Sequence, residues 1–379
     1  MRPLAPFSHS PHLVALVAQA ERLAALVSRV QPPEPARWNP SAAETSETGR
    51  GQVDEVARIG NELMTEAAIA SLRLDGSPID RVPDLAAVRD GAAPAAERAL
   101  EQQPGSWLEI LQRGRVPDEE VLAREYLGMR AGLAATDLAQ ELLLSPQQAL
   151  VELHRRLTLQ LLHPDRAGRT RQSRQVVHDA RVGRMLFHPA QPEQIPSQMA
   201  SLASWLATAA PRHHGLVVSG VVHHELLAAH PYEAANGRLA RTAARLLLRV
   251  RGLDPGGLAA AEVALLGDPL GYYGEMSATA RRRDLTIWLE RWGEAVTSGL
   301  RLAARRLGLL DLDVPPRAEI FLGRWEKPRF TVSDYQAQME VGLEQTRADL
   351  ERMLGAGRVE RVFGSRGLRF SILGWEPPE

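Results

Sequence analysis

The sequence contains no cysteine, which excludes disulfide bonds, thiolate metal sites and cysteine nucleophiles and is typical of proteins in a reducing compartment. It also has no apolar run long enough to cross a bilayer. The N-terminal residues do not combine a basic region with an apolar one, so no signal peptide is predicted. We therefore expect a cytoplasmic protein that does not bind membranes.

Charge of one sign is also missing, because 45 Lys and Arg residues oppose 46 Asp and Glu residues for a formal net charge of -1. Overall charge therefore gives no basis for binding nucleic acid or anionic lipid, which leaves only local patches. Aromatic residues make up only 5% of the chain, whereas Ala, Leu and Arg, which favour helices, are abundant. The composition thus predicts a mainly α fold.

Helical periodicity extends along most of the chain, and turn residues mark where the helices are expected to end. The stretch 53–74, for example, is terminated by Asp75, Gly76 and Pro78. The expected helices lie at about 12–30, 53–74, 215–229, 236–251, 258–265 and 273–299.

Two regions depart from this helical pattern. Short β-prone pieces at 175–177 and 185–187 predict a small hairpin within a locally basic segment. Two short helices and two strand-like pieces after residues 314–316 indicate a winged helix. We therefore predict an N-terminal helical region (1–104) that contains the helix 53–76, a core domain (105–312) and a winged-helix-like domain (313–379).

Residues 230–241 concentrate groups that suit phosphate chemistry. A turn of Ala235, Asn236 and Gly237 opens a helix, whose first N–H groups and positive dipole end favour an anion. Arg238 and Arg241, three residues apart, can line one face beside it. A histidine just before the turn, His230, is placed to accept a proton from an incoming hydroxyl. The structural alternative is a helical corner with a capping Asn and a buried His.

The same segment resembles the signature of the Fic family: His-Pro-Phe, any residue, Asp or Glu, Gly or Ala, Asn, Gly or Lys, and Arg, with a further Arg three residues on. The matching residues are His230, Pro231, Tyr232 in place of Phe, Ala235, Asn236, Gly237, Arg238 and Arg241. The resemblance implies a Fic-type helical bundle with a hairpin flap. It also implies an enzyme that moves AMP from ATP to a hydroxyl group of a target protein.

The resemblance further implies a role for each motif residue. His230 would be the general base, and Arg238 and Arg241 would hold the phosphates. The backbone of Ala235, Asn236 and Gly237, together with the Asn236 side chain, would form the anion hole.

The family's metal-binding Asp or Glu falls at Ala234 here, and the acid Glu233 stands one place earlier. Because one residue rotates a side chain by about 100° at a helix start, Glu233 would reach Mg²⁺ only through a rearranged loop. Glu233 is therefore either a metal ligand or a solvated carboxylate. Mg²⁺ remains the expected cofactor.

The helix that ends at Asp75 resembles the family's autoinhibitory helix, in which a Ser or Thr is followed by Glu and then Gly or Asn. Ser71 and Gly76 fit this pattern, and Asp75 replaces the Glu. In relatives that Glu pairs with the second motif arginine, which is Arg241 here. The alternative is that Asp75 and Gly76 simply end a helix.

Other parts of the chain fit the same resemblance. The hairpin at about 168–190 resembles the flap on which a target protein docks as an added strand. Tyr272 and Tyr273 either border an adenine pocket or belong to the core. In the winged-helix-like domain, the acidic helix 343–355 favours protein docking or homodimer formation, whereas the basic segment 358–369 leaves DNA contact open.

Two other functions remain compatible with the sequence. The same fold could move another nucleotide or phosphate group, or remove AMP. A non-catalytic regulator that senses nucleotides is the alternative outside the enzymes.

Overall fold

The computed structural model describes residues 4–30, 51–88, 119–158, 161–178, 185–310, 314–364 and 367–373. The chain divides into two compact units, Met1–Leu300 and Arg301–Glu379. The three-part division expected from the sequence stays a prediction, and its boundary near 104 lies outside the described residues.

The first unit is mainly helical, as the composition predicts. The helices that begin in it are α1 (Pro11–Ser28), α2 (Gly51–Leu74), α3 (Glu119–Leu133), α4 (Asp137–Leu144), α5 (Pro146–Leu157), α6 (Ile195–Thr208), α7 (Gly215–Ala229), α8 (Asn236–Val250), α9 (Ala261–Gly267), α10 (Pro269–Arg282) and α11 (Thr286–Arg306), the last of which continues beyond Leu300.

The core forms around α7 and α8, which pack against each other over most of their length. The sequence of α7 is apolar around its whole circumference, so nearly all its residues are buried. Helix α2 packs against α3, α8 and α9. This packing brings the C-terminal end of α2 to the N-terminal end of α8.

The helix predicted at about 273–299 is wrong, because α10 ends at Arg282 and α11 begins at Thr286. Arg283 adopts a left-handed conformation with φ of 53°, which stops α10. Asp284 Oδ1 then accepts hydrogen bonds from the backbone N–H (2.8 Å) and the hydroxyl (2.7 Å) of Thr286. The apolar periodicity of the sequence continues across this break, so periodicity alone could not reveal where α10 ends and α11 begins.

The predicted hairpin is present. Strands β1 (Val177–His178) and β2 (Met185–Phe187) pair in antiparallel fashion, with Val177 opposite Phe187. The turn between them lies outside the described residues.

The second unit contains α12 (Pro316–Arg324), β3 (Arg329–Phe330), α13 (Val332–Met339), α14 (Leu343–Gly355), β4 (Val359–Gly364) and β5 (Gly367–Ile372). The strands form an antiparallel sheet in the order β3-β5-β4 over a small aromatic and aliphatic core. This element order is the one expected of a winged helix, and that assignment stays a prediction.

Within the described ranges, no helix combines the length and the apolar character that a membrane crossing requires.

Candidate functional site

The loop between α7 and α8 is shaped by two residues in the left-handed region, His230 (φ 42°) and Ala235 (φ 57°). Residues with a side chain adopt this conformation at a cost, so surrounding contacts must hold it. The Asn236 side chain supplies two of them, because Oδ1 accepts from Tyr232 N (2.9 Å) and Nδ2 donates to Tyr232 O (2.8 Å). In this conformation Asn236 closes the loop, and its expected place in an anion hole stays a prediction.

A buried histidine on α5, His154, supports the loop from below. Its Nδ1 accepts a hydrogen bond from Gly168 N (2.9 Å), so Nε2 carries the proton and donates to Ala234 O (3.1 Å). Burial lowers the pKa of His154 to about 4, which keeps the ring neutral near pH 7. Its ring also packs on Tyr232, with the ring centroids 4.2 Å apart.

Arg171 joins the end of α7 to the base of the hairpin. The guanidinium is buried and donates to the carbonyl groups of Ala229 (3.2 Å) and His230 (2.5 Å) at the C-terminal end of α7. It also donates to the carbonyls of Ser173 (2.6 Å) and Ala190 (2.5 Å). A cation at a helix C-terminus is favourable, and here it fixes the position of the residue before the loop.

The imidazole of His230 is oriented by the main chain. Its Nδ1 lies 2.6 Å from Leu227 O, so Nδ1 carries a proton and the lone pair is on Nε2. Burial lowers the pKa of His230 to about 4, against the smaller raising effect of that hydrogen bond. The ring of Phe187 on β2 packs against it, with centroids 5.5 Å apart. A neutral base therefore lies beside the hairpin.

The N-terminal end of α8 already holds an anionic group, the carboxylate of Asp75. Its Oδ2 accepts from Arg238 N (3.2 Å), and its Oδ1 accepts from Arg241 Nη2 (2.7 Å). Ser71, one turn earlier on α2, accepts from Arg241 through Oγ (2.8 Å) and its carbonyl oxygen (2.7 Å). The shorter side chain of Asp75 therefore does reach Arg241.

Gly237 makes this approach geometrically feasible. A Cβ atom at residue 237 would lie 2.2 Å from Asp75 Oδ1, which is far inside the contact distance. Gly76 has φ of 89° and lets the chain turn away directly after Asp75. The two glycines leave room for an oxygen-bearing group against the start of α8.

Arg238 is held less closely than Arg241. Its side chain is only 8% exposed, and it makes ion pairs at 3.5 Å with Asp75 and with Glu125 of α3. Among the described residues, Arg238 Nε and Nη1 have no hydrogen-bond partner.

Tyr272 and Tyr273 are buried near Arg241. The Tyr272 hydroxyl lies 2.8 Å from His223 Nε2, and the Tyr273 hydroxyl donates to Leu74 O at 2.9 Å. These contacts place both tyrosines in the core, and a border with an adenine pocket stays a prediction.

Glu233 lies at the outer side of the loop. Arg166 pairs with its carboxylate (Nη2 to Oε2, 2.6 Å), and the side chain is 35% exposed. Mg²⁺ usually takes one or two protein carboxylates together with phosphate oxygens, and Glu233 is the acid of the motif. Because Arg166 occupies that carboxylate, the motif in this conformation does not fit a Mg²⁺ site. The described parts of the chain contain no group of three His, Asp or Glu side chains arranged for a metal.

A cavity of about 890 Å³ lies between the hairpin, α7 and α10. Phe187, Ala228 and Met276 are among the residues that line it. Phe187, one of these lining residues, also contacts His230.

The structure thus brings together His230, the start of α8, Arg238, Arg241, Ser71 and Asp75, and it leaves Glu233 apart. His154, Arg171 and Glu125 also contact these residues or the loop before α8 and were not expected from the sequence. Arg171 was one of several arginines in a basic segment, and no local pattern distinguished it. The other two lie on amphipathic helices far from the motif in sequence.

Comparison with known proteins gives concordant results. Residues 144–248 match the model of the Fic/DOC family. A segment of 107 residues, 28% of this chain, is 32% identical to the Protein adenylyltransferase Fic of Nematostella vectensis, and it spans only 23% of that protein. A Fic family protein from Desulfovibrio desulfuricans G20 has the same fold, with a TM-score of 0.56, 18% identity and 100% coverage of both chains.

Proposed function

We propose that this protein transfers AMP from ATP to a hydroxyl group of a target protein, because residues 144–248 match the model of the Fic/DOC family. The observation that carries the proposal is the Asp75 carboxylate at the start of α8. The Arg238 N–H and the Arg241 guanidinium bind it with the contacts that phosphate oxygens would receive.

In the proposed reaction the target oxygen forms a bond to the α-phosphorus, and the bond from that phosphorus to the β-phosphate oxygen breaks. Pyrophosphate leaves, and the hydroxyl proton passes to Nε2 of His230. The hydrogen bond from Nδ1 to Leu227 O supports this role, because it fixes the tautomer with a free lone pair. Protein groups then act mainly through position and charge.

The target protein would dock on the hairpin. Strand β2 carries Phe187, whose ring contacts both His230 and Tyr273. An extended peptide added along this hairpin would therefore bring its hydroxyl close to the base.

The conformation described here would be inhibited. Asp75 occupies the position beside Arg241 that the outer phosphate would need, and its Oδ1 lies directly against Gly237. ATP must displace this carboxylate before transfer proceeds.

A second candidate is a regulator that binds nucleotide without turnover. Ala234 lacks the carboxylate that the motif expects, and Glu233 is engaged by Arg166, which favours this candidate. If the missing carboxylate limits catalysis, Ala234→Asp will raise transfer in the presence of Mg²⁺, while Glu233→Ala leaves the rate unchanged. Loss of metal-dependent transfer in Glu233→Ala would instead assign the metal to Glu233.

Labelling with ATP that carries ³²P on the α- or the γ-phosphate tests the main proposal. AMP transfer incorporates only the α label into protein, and phosphoryl transfer incorporates only the γ label. His230→Ala is expected to lower α-label incorporation by about 100-fold or more while ATP still binds. Rates within a few-fold of wild type would remove His230 from the reaction. Binding of ATP with no incorporation in the wild type would favour the regulator.

A further inference from the structure

Helix α3 contributes a buried carboxylate, Glu125, to the phosphate site. Its Oε1 lies 3.5 Å from Arg238 Nη2, and its Oε2 accepts a hydrogen bond from the Ser77 hydroxyl at 2.9 Å. Both Glu125 and Ser77 are buried. No motif pointed to either residue, because α3 is separated from α8 by about a hundred residues of sequence.

Ser77 connects Glu125 to the turn that carries Asp75. Its backbone N–H donates to Leu72 O (3.0 Å), which folds the turn back onto the end of α2. On the opposite side, the Tyr273 hydroxyl donates to Leu74 O. The turn is therefore held between α3 and α10, and Glu125 belongs to the same assembly as Asp75.

The carboxylates around Arg238 are close enough to neutralise its charge but too far away to accept short hydrogen bonds from its guanidinium. Both of its ion pairs are at 3.5 Å, and Nε and Nη1 have no hydrogen-bond partner among the described residues. A guanidinium has five donors, and a buried one gains most from short, paired oxygens. A phosphate group would supply such oxygens, so it would replace weak contacts with strong ones.

We propose that Glu125 is a second inhibitory carboxylate, which competes with nucleotide phosphate for Arg238 while Asp75 competes for Arg241. The proposal rests on the proposed function in one respect, namely that phosphate binds beside Arg238. Inhibition is then divided between two helices, and Ser77 couples the two carboxylates. The shorter reach of Asp75, compared with the Glu of the family pattern, is offset by this second contact.

Glu125→Gln tests the proposal, because it removes the charge and keeps an oxygen that can accept from Ser77. Calorimetry in the His230→Ala background, where ATP is not consumed, gives the affinity for ATP, tripolyphosphate and adenosine. We expect Glu125→Gln to bind ATP and tripolyphosphate about tenfold more tightly, which corresponds to about 1.4 kcal/mol, and adenosine unchanged. Glu125→Asp, with its carboxylate withdrawn by one methylene, should give a smaller gain.

Glu120→Gln is the matched control, since Glu120 is buried on the same helix and pairs with Arg124 (Oε1 to Nη2, 2.6 Å). It should leave all three affinities at the wild-type level. An equal gain for adenosine in Glu125→Gln would indicate general loosening and overturn the proposal, as would unchanged affinity for ATP and tripolyphosphate.

Asp75→Ala distinguishes an error in the role of Glu125 from an error in the phosphate site itself. If Asp75→Ala binds tripolyphosphate more tightly than wild type and neither Glu125 variant does, the second carboxylate is wrong and the phosphate site stands. If no variant binds ATP or tripolyphosphate, both the phosphate site and the inhibitory role of Glu125 are wrong.

Discussion

Arg241 and Arg245 lie one turn apart on α8, and both are buried, but they are held in different ways. Arg245 donates to Asp254 (2.9 Å), Glu262 (2.8 Å) and the carbonyl oxygen of Gly257 (2.6 Å), all within a short stretch after the helix. The carboxylate that holds Arg241 comes from Asp75, at the end of α2.

The surroundings of the two carboxylate sets differ as well. Asp254 and Glu262 are completely buried, whereas the Asp75 side chain is 21% exposed. For both arginines burial lowers the pKa, and the neighbouring negative charges more than offset this, so both pKa values lie above the ordinary range. Two equally buried arginines are thus held by different carboxylate sets, and we propose that the Arg245 pairs are permanent whereas the Arg241 pair can be exchanged for phosphate. The exposure and attachment of the carboxylate distinguish the two kinds of pair.

The largest expected effect tests the permanent pair. Arg245→Met removes the short ion pairs of two buried carboxylates and leaves Asp254 only a 3.8 Å ion pair with Arg249, so we expect the free energy of unfolding to fall by about 3–5 kcal/mol. The matched variant Arg241→Met should lose roughly 1–2 kcal/mol, because Asp75 keeps solvent and the Arg238 N–H. Urea unfolding followed by circular dichroism measures both. Equal losses would contradict the distinction between the two arginines.

A smaller effect is expected for the exchangeable pair. Asp75→Ala frees Arg241 for phosphate, so self-labelling by α-labelled ATP should rise about five- to tenfold. Ser71→Ala is the control, since it removes one hydrogen bond to Arg241 and leaves the carboxylate in place. If Asp75→Ala and Ser71→Ala both label at the wild-type rate, Asp75 does not inhibit transfer and only ends a helix.

An effect of similar size concerns acid, and it places His154 with Arg245 among the permanent contacts. The pKa of His154 is about 4 in the folded protein, below the ordinary value of 6.5. Between these pH values the unfolded chain binds a proton that the folded chain does not, so stability falls as pH drops through this window. His154→Gln should remove about 1–2 kcal/mol of the loss between pH 7 and pH 5, measured by urea unfolding. The same pH slope in both proteins would contradict this origin.

Much of the fold could be predicted from the sequence. The expected helices at 53–74, 215–229 and 236–251 agree with α2, α7 and α8 to within two residues. The long helix expected at 273–299 was wrong, because a left-handed residue such as Arg283 leaves no mark on apolar periodicity. The spacing of apolar residues therefore predicts helices well but predicts their interruptions poorly.

The residues of the candidate site likewise divide into those that the local sequence predicts and those that it does not. His230, Arg238 and Arg241 were predicted because they fall within twelve consecutive residues, whose order alone places them around one helix start. That order also showed that Ala234 breaks the expected pattern.

Whether Asp75 reaches Arg241 was decided by the packing of α2 against α8. The pairing of Glu233 was likewise decided by a distant residue, Arg166. His154, Arg171 and Glu125 act through contacts between residues far apart in the chain, which no local pattern records. The sequence by itself determined most of the helices, the motif and the nearly balanced charge of the chain. Only the tertiary structure determined which buried charges neutralise one another, because that depends on distances of a few ångströms between separate helices.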